Sequence, residues 1–414
     1  MTPPLERPKP RNPVSAQRLP TLPPRARSRT ALRFTAAAAE GRFELQTCFN
    51  CGAVQYPPRS ACVKCLSHRL EWREVAGVGE LIADTVLHHS NEIYYRERVP
   101  LRLGTLRLDA GPSLLAHVHG DCAPAPSRVR VRAHLDRSGQ AVLMALPRED
   151  TANMAEDAML REMTSDPKFR KVLITDAKSA TGHALAAAIV QAGADIVWLG
   201  VAESWKQAPG FDALTALPQS TVVPLDVTDA KSVEELAGTI GGKVDILINT
   251  AEFHRAHGIA DRGTETARAE MDVNYLGLLR LAQAFGPAMR ARAAEGAVPA
   301  AAWVNLLSIC ALAALPSQGT FSASKAAAFA LSQNLRAEMR QAGIRVVNVF
   351  PGPIDDEWNQ LVPPPKIAPA ALAKAIVTAL REGVEDLYPG DVAQDVAARW
   401  RESAKALERE LWDQ

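Results

Sequence analysis

The chain lacks the features of a membrane, secreted or nucleic-acid-binding protein. No apolar run reaches the roughly 18 residues that a membrane span needs, and the N-terminus has no apolar signal-peptide core. Its 47 Lys+Arg and 46 Asp+Glu leave a net charge of +1, without the basic excess typical of nucleic-acid binders. We therefore expect a cytoplasmic protein whose cysteines stay reduced.

Cysteine is scarce, with six residues, yet four of them form two closely spaced pairs. Cys48 and Cys51 form one CxxC pair, and Cys62 and Cys65 form the other. Two such pairs can present four thiolates in the tetrahedron that zinc accepts. Disulfides are the alternative, which a reducing compartment disfavours. Because four thiolates leave no open coordination position, we predict a structural zinc rather than a catalytic one.

With 414 residues, the chain is long enough for two or three domains. Patterning predicts a Pro/Arg-rich tail or arm at 1–29, a helix and cysteine-bearing segment at 30–70, a small β-barrel at 71–147, a polar linker at 148–169 and an α/β domain at 170–414. Strands that alternate with helices in the last segment imply a parallel sheet covered on both faces. The tail is interpreted as disordered, as an extended arm on a partner, or as a weak polyanion contact.

A first resemblance covers about residues 30–147, including the stretch GRFELQTCFNCGAVQYPPRSACVKCLSHRLEWREVAGVGELIADTVLHH. It resembles the rubredoxin-like zinc ribbon joined to an acyl-CoA-associated OB-fold. The resemblance implies a partner protein of a thiolase-like or other acyl-CoA enzyme rather than an independent catalyst. OB-folds also bind single-stranded nucleic acid by stacking bases on aromatic side chains. Tyr94 and Tyr95 keep that function as a third alternative.

A second resemblance covers roughly residues 169–400, including VNLLSICALAALPSQGTFSASKAAAFALSQNLRAEM and the later GIRVVNVFPGP. It resembles the short-chain dehydrogenase/reductase family, which implies a Rossmann-like, doubly wound parallel sheet. The family's four catalytic positions fall on Asn274, Ser308, Phe321 and Lys325, with Phe321 in place of the tyrosine. In active members the lysine lowers the tyrosine pKa, the serine holds the substrate oxygen and the tyrosine transfers a proton. Phenylalanine has no proton to transfer.

The same resemblance places a degenerate dinucleotide-binding turn between Thr175 and Gly182. The family's turn is Thr-Gly-x-x-x-Gly-x-Gly, and its glycines let the backbone approach a pyrophosphate. Here Asp176 and Ala180 replace two of the three glycines, and Gly182 remains. Asp176 would either repel a phosphate or occupy the anion site itself and cap the following helix.

Three further cofactor positions give mixed signals. Asp226 matches the aspartate beside the adenine ring, and Asn249 begins the motif that reads Asn-Asn-Ala-Gly in the family. That motif ends here in Glu252, and Asp356 replaces a threonine that contacts the nicotinamide end. The resemblance therefore implies that NAD(P) binding is impaired.

The leading hypothesis is a non-catalytic accessory subunit, a pseudoenzyme with structural zinc and an acyl-CoA enzyme as partner. The family's subunit interface implies a homo- or hetero-oligomer, which includes pairing with an active short-chain dehydrogenase. Small side chains on the predicted helix at 321–341 suit such an interface. The alternative is an active NAD(P)-dependent oxidoreductase on a hydroxyacyl or ketoacyl thioester, with an unusual acid. His254 and His257 follow the predicted strand at Asn249, where they would either approach the pocket or, as we favour, be exposed loop residues.

Overall fold

The computed structural model describes residues 2–7, 20–25, 27–203, 210–255, 258–260, 263–294, 299–360 and 362–413. About half of the predicted arm, and His257, lie outside these residues. The chain divides into two compact units, formed mainly by Thr21–Asp166 and by Pro167–Leu380 with Glu385–Gln414. Among the described residues, no helix combines the length and apolarity needed to cross a membrane.

The first unit begins with a short helix and a three-stranded antiparallel sheet. A 3-10 turn at Arg29–Ala31 leads into helix α1, and Gly41 lies just beyond the helix with a φ of +74°. Side chains of α1 are buried against the start of the sheet, including the edge-to-face pair Phe34 and Phe43. The elements are α1 (Leu32–Ala39), β1 (Glu44–Cys48), β2 (Val54–Gln55) and β3 (Leu70–Glu74), with β1 in the centre.

Five further strands close into a small barrel in the order β4-β5-β6-β8-β7. They are β4 (Val78–Leu87), β5 (Leu101–Leu108), β6 (Ser113–Val118), β7 (Ser127–Leu135) and β8 (Ala141–Pro147), with the one-turn helix α2 (Ile93–Arg96) between β4 and β5. Alternate side chains such as Leu106, Leu108 and Leu114 point into the barrel and are almost fully buried. The predicted zinc ribbon and small β-barrel are confirmed as a fold.

The segment predicted as a polar linker contains two short helical elements, a 3-10 turn at Met154–Glu156 and helix α3 (Ala158–Glu162). The segment is ordered because its apolar side chains Leu160 and Met163 pack with Met144 and Leu146 of β8. The Asp157 carboxylate caps α3 by accepting hydrogen bonds from the backbone amides of Met159 and Leu160 in its first turn. The mainly polar composition of this segment therefore gave no indication of its small apolar contact with the barrel.

The second unit is built on a seven-stranded parallel sheet with the order β11-β10-β9-β12-β13-β14-β15 in the described residues. Its strands are short apolar runs, as expected where both faces of a parallel sheet are covered. They are β9 (Lys171–Ile174), β10 (Ile196–Val201), β11 (Ser220–Pro224), β12 (Ile246–Asn249), β13 (Ala302–Leu306), β14 (Arg345–Val349) and β15 (Asp386–Leu387). The strand order reverses between β9 and β12.

Helices cover both faces of this sheet over two separate apolar cores. Helices α4 (Ala180–Gln191), α5 (Phe211–Thr215) and α10 (Pro369–Glu382) contribute to one core. The other contains side chains of α6 (Ala230–Ile240), α8 (Leu278–Ala293), α9 (Gly319–Met339) and α11 (Asp391–Glu410). Helix α7 (Thr264–Glu270) continues through a π-helical segment, Met271–Gly277, into α8. The predicted doubly wound, Rossmann-like sheet is confirmed.

Candidate functional site

The first candidate site is a cluster of four cysteine sulfurs between the strands of the ribbon. The Sγ atoms of Cys48 and Cys65 are 3.5 Å apart, those of Cys51 and Cys62 are 3.6 Å apart, and all four lie within 4.8 Å of one another. A tetrahedral zinc with Zn–S distances of about 2.3 Å separates its sulfurs by about 3.8 Å. The cluster therefore fits a zinc ion.

Local structure holds this cluster in place. The backbone amide of Lys64 donates to the Cys62 sulfur at 3.4 Å, an arrangement that favours the thiolate a metal requires. The two cysteine-bearing loops are joined by a buried amide pair, in which Gln55 Nε2 donates to Gln46 Oε1 at 2.9 Å. Gln46 also accepts from the Arg59 amide, and Gln55 accepts from the Val63 amide. Sequence spacing gave no signal for these glutamines.

With four protein ligands a zinc ion would have no position left for a substrate, so it would serve to crosslink the two loops.

The barrel that follows the ribbon gives limited support to nucleic-acid binding. Tyr94 is 3% exposed, its hydroxyl donates to Glu162 Oε2 at 3.1 Å, and the Arg98 guanidinium covers its ring. That ring is therefore not available for stacking on a base.

The second candidate site lies at the carboxyl ends of β9, β12 and β13, where the strand order reverses. Ligands of doubly wound sheets bind in this crevice. The ends of β9 and β12 are joined by Thr175, whose hydroxyl donates to Asn249 Oδ1 at 2.9 Å and accepts from the Thr250 amide at 3.0 Å. Both predicted positions thus lie at the crevice, engaged with each other.

Asp176 lies within the turn that follows β9. Its carboxylate accepts a hydrogen bond from the backbone amide of Lys178 at 3.1 Å. Burial raises the pKa of Asp176 to about 6, and repulsion from Glu357 adds to the rise, whereas hydrogen bonds from the turn amides oppose it. The cap of α4 is Ser179, whose hydroxyl accepts from the Gly182 amide at 3.0 Å. The interpretation of Asp176 as the helix cap is therefore wrong, because Ser179 takes that place.

Two side chains of this turn occupy positions where the family has glycine beside a pyrophosphate. The Asp176 carboxylate engages a turn amide that could otherwise face a phosphate, and it adds a nearby negative charge. Ala180, the first residue of α4, adds a methyl group where the family has a glycine. Gly182 has a steric reason to remain, since a Cβ there would lie 2.1 Å from the backbone oxygen of Asp176.

The remaining two cofactor positions are aspartates that bond within their own loops. Asp226 Oδ1 accepts from the amide and the hydroxyl of Thr228 at 2.8 and 2.7 Å. Asp356 Oδ1 accepts from the amides of Trp358 and Asn359 and so caps the 3-10 turn at Glu357–Asn359. Burial raises the pKa of Asp356, and the charge of Glu252 contributes to the rise.

Of the family's four catalytic positions, Ser308 and Phe321 line one cavity, and Lys325 lies next to Phe321 with its Nζ 5.4 Å from the ring centroid. Asn274 lies in the π-helical segment, and its amide clamps the loop after β12 by bonding the backbone N–H and C=O of Phe253 at 3.0 and 2.9 Å. Ser308 follows β13, and its hydroxyl accepts from the Cys310 amide at 3.2 Å. The ring of Phe321 is 3% exposed and stacks on the His254 ring, with centroids 4.0 Å apart.

Lys325 is a buried cation, with 2% of its side chain exposed. Its Nζ donates to the backbone oxygen of Leu306 at 3.1 Å and lies 2.7 Å from Glu252 Oε2. Sequence analysis noted Glu252 as a lost glycine but missed its ion pair with Lys325. It also interpreted His254 as exposed, whereas His254 is only 3% exposed and lines the cavity. No sequence signal links either residue to its partner on α9.

The cavity beside these residues has a volume of about 730 Å³. Its wall is mostly apolar and includes Leu315, Ile354 and, from α11, Val396. His254 and Ser308 are among its polar groups. A cavity of this size and character suits an apolar small molecule or acyl group.

Comparison with known proteins matches separate parts of the chain to separate family models. Residues 35–71 match the model of the ChsH2 rubredoxin-like zinc ribbon domain, and residues 72–136 match the ChsH2 C-terminal OB-fold domain. Residues 170–365 match the short chain dehydrogenase model. An uncharacterized oxidoreductase of Staphylococcus aureus (strain USA300) is 30% identical over 219 residues, which cover 51% of this chain and 90% of that protein.

Two solved structures are similar in fold to the second unit. A short chain dehydrogenase from Burkholderia cenocepacia, in complex with NADP, is 34% identical with a TM-score of 0.54, covering 59% of this chain and 98% of that one. A short-chain dehydrogenase from Streptomyces avermitilis is 26% identical with a TM-score of 0.51, covering 59% and 97%. The chain belongs to the short-chain dehydrogenase family, and it carries ChsH2-type zinc ribbon and OB-fold domains ahead of its dehydrogenase domain.

Proposed function

We propose that this protein is a non-catalytic assembly subunit for a thiolase-like or other acyl-CoA enzyme. The zinc ribbon and OB-fold supply the acyl-CoA-associated module, held together by zinc on Cys48, Cys51, Cys62 and Cys65. The dehydrogenase domain serves subunit pairing rather than hydride transfer. The two modules thus share one role, which is to hold an enzyme assembly together.

The tyrosine position carries this proposal. There the Phe321 ring packs face to face on His254, and the Lys325 ammonium is 5.4 Å from its centroid. The ring can keep the packing of a tyrosine but cannot give or accept a proton. General acid–base catalysis is worth roughly 10²–10⁴-fold, so losing it alone would leave a slow enzyme. The acidic, crowded turn at Asp176 lowers cofactor affinity as well, and the two losses reinforce each other.

Cofactor titration tests the catalytic part of the proposal. We expect the wild-type chain and the Phe321→Tyr variant to show no calorimetric saturation by NAD(H) or NADP(H) up to about 1 mM, because a restored hydroxyl leaves the turn unchanged. Saturation of the wild type at micromolar cofactor would contradict the proposal. Acyl-thioester turnover that Lys325→Ala abolishes would then establish the alternative, an active oxidoreductase, which the retained cavity and Ser308 favour.

The surface of α9 supports the pairing role. Ala323, Ala326 and Ala330 are exposed along one side of this helix, and Ala327 and Leu331 beside them are half-buried. Leu335, by contrast, is 5% exposed and belongs to the domain core. Small exposed side chains at helical spacing let a second helix approach closely, as the family's subunit interface requires.

We expect the purified chain to sediment as a dimer or larger oligomer, and Ala326→Glu to shift it toward monomer. A carboxylate on a closely packed helix face would be buried without a partner. Sedimentation velocity at several concentrations measures the change. The matched control is Ala398→Glu on the exposed side of α11, which should leave the oligomer intact. Equal dissociation by both variants, or by neither, would contradict this interface.

A further inference from the structure

The ion pair between Glu252 and Lys325 joins two elements that form the wall of the crevice. Glu252 lies in the loop after β12, and Lys325 lies on α9. Lys325 makes its second hydrogen bond to Leu306, the last residue of β13. The pair therefore sits at the carboxyl ends of two neighbouring strands, where doubly wound sheets bind their ligands. A ligand bound there would have to accommodate this pair.

The position of Glu252 is where the family motif has a glycine, a residue that lets the backbone approach a ligand closely. A glutamate side chain takes up that space. The side chain is 13% exposed, and its charge contributes to the raised pKa values of Asp356 and Cys310. Glu252 is also among the residues that line the cavity of about 730 Å³.

The other two intruding carboxylates behave differently. Asp176 bonds the amide of Lys178 within its own turn, and Asp356 caps its own 3-10 turn. Each shapes a single loop. Glu252 instead reaches another element and binds the buried lysine of the catalytic motif, at 2.7 Å. A change at Glu252 thus alters both the space in the crevice and the partner of Lys325.

We infer that Glu252 is the positioning residue that excludes a nicotinamide dinucleotide from this domain, by occupying the motif's glycine position and holding Lys325 in an ion pair. The inference rests on the proposed function, in which the wild-type chain does not bind the cofactor. It assigns the exclusion of the cofactor to one residue in the crevice, so substitution of that residue should restore cofactor binding. The aspartate in the turn limits how far affinity recovers.

Calorimetric titration with NADPH tests this inference in four variants. We expect Glu252→Gly to saturate with a Kd of about 0.1 mM or lower, at least about tenfold below the 1 mM limit at which the wild type is not saturated, which is about 1.4 kcal/mol. Glu252→Gln keeps a hydrogen-bond acceptor for Lys325 and should recover part of the gain. Glu252→Gly with Lys325→Ala should lose the gain, because the released lysine supplies it. Glu357→Gln removes an acidic charge near Asp176 that is not paired with Lys325, and like the wild type it should show no saturation up to about 1 mM.

Thermal unfolding of each variant establishes that it is folded at the titration temperature, and Glu252→Gln serves as the test should Glu252→Gly not fold. Unchanged affinity in both Glu252 variants overturns the inference and leaves the proposed function standing. If NADPH affinity rises equally in Glu357→Gln, or still rises when Lys325 is also replaced, the ion pair is not the cause of the exclusion. Micromolar binding by the wild type overturns the inference and the proposed function together.

Discussion

Replacing Cys62 by alanine is expected to abolish stoichiometric zinc binding and to unfold the ribbon. Removing one of four thiolates leaves an open, lower-affinity site, and apparent zinc affinities of about 10–16 kcal/mol in small zinc domains are also folding free energy. The loops are otherwise joined by the Gln46–Gln55 amide pair and short strand pairings. Metal analysis of the purified protein should fall from about one zinc per chain to near zero.

Proteolysis provides the structural readout for the same variant. The unfolded ribbon should be cleaved near residues 48–65 at protease levels that leave the wild type intact, and a chelator should produce the same cleavage in the wild type. Cys122→Ala is the matched control, because Cys122 is a buried cysteine of the barrel outside the cluster. Full zinc content in the Cys62 variant would show that the cluster is not the metal site.

Removing Glu252 is expected to produce the second large effect, a loss of about 3–5 kcal/mol in the free energy of unfolding for Glu252→Ala. The physical reason is that Lys325, with 2% of its side chain exposed, would be left buried without its carboxylate partner. Replacing both residues, as Glu252→Ala with Lys325→Met, should cost less than the single change. Urea denaturation at pH 7 measures all of these variants.

The pair Lys231 and Glu235 on α6 is the control for this cycle. It has the same charges at 3.7 Å, but its side chains are 81% and 69% exposed, so water and salt screen the attraction. Its removal should leave the unfolding curve nearly unchanged. If Glu252→Ala were as stable as wild type, Lys325 would not depend on this partner, and the ion pair would not explain the altered crevice.

Much of the fold could be predicted because its signals are local. The five barrel strands appear in the sequence as alternating runs bounded by turn residues. The run SRVRVRAHLD at 127–136, for example, agrees closely with the observed strand Ser127–Leu135. The α/β unit was predictable from alternating strand and helix patterns. The segment at 148–169 was not fully predictable, because the packing of Leu160 and Met163 depends on a barrel surface that must form first.

The sequence by itself determined the four-cysteine cluster, the two fold classes and the phenylalanine at position 321. Each of these depends on residue type and close spacing, which persist before any tertiary contact forms. Only the tertiary structure decided what surrounds Phe321. The strand ends and α9 bring Glu252 to Lys325 and His254 to Phe321, across long intervals of chain. Such pairings follow from how the sheet and its helices pack, so sequence analysis recorded the lost glycine at Glu252 without finding the ion pair that replaced it.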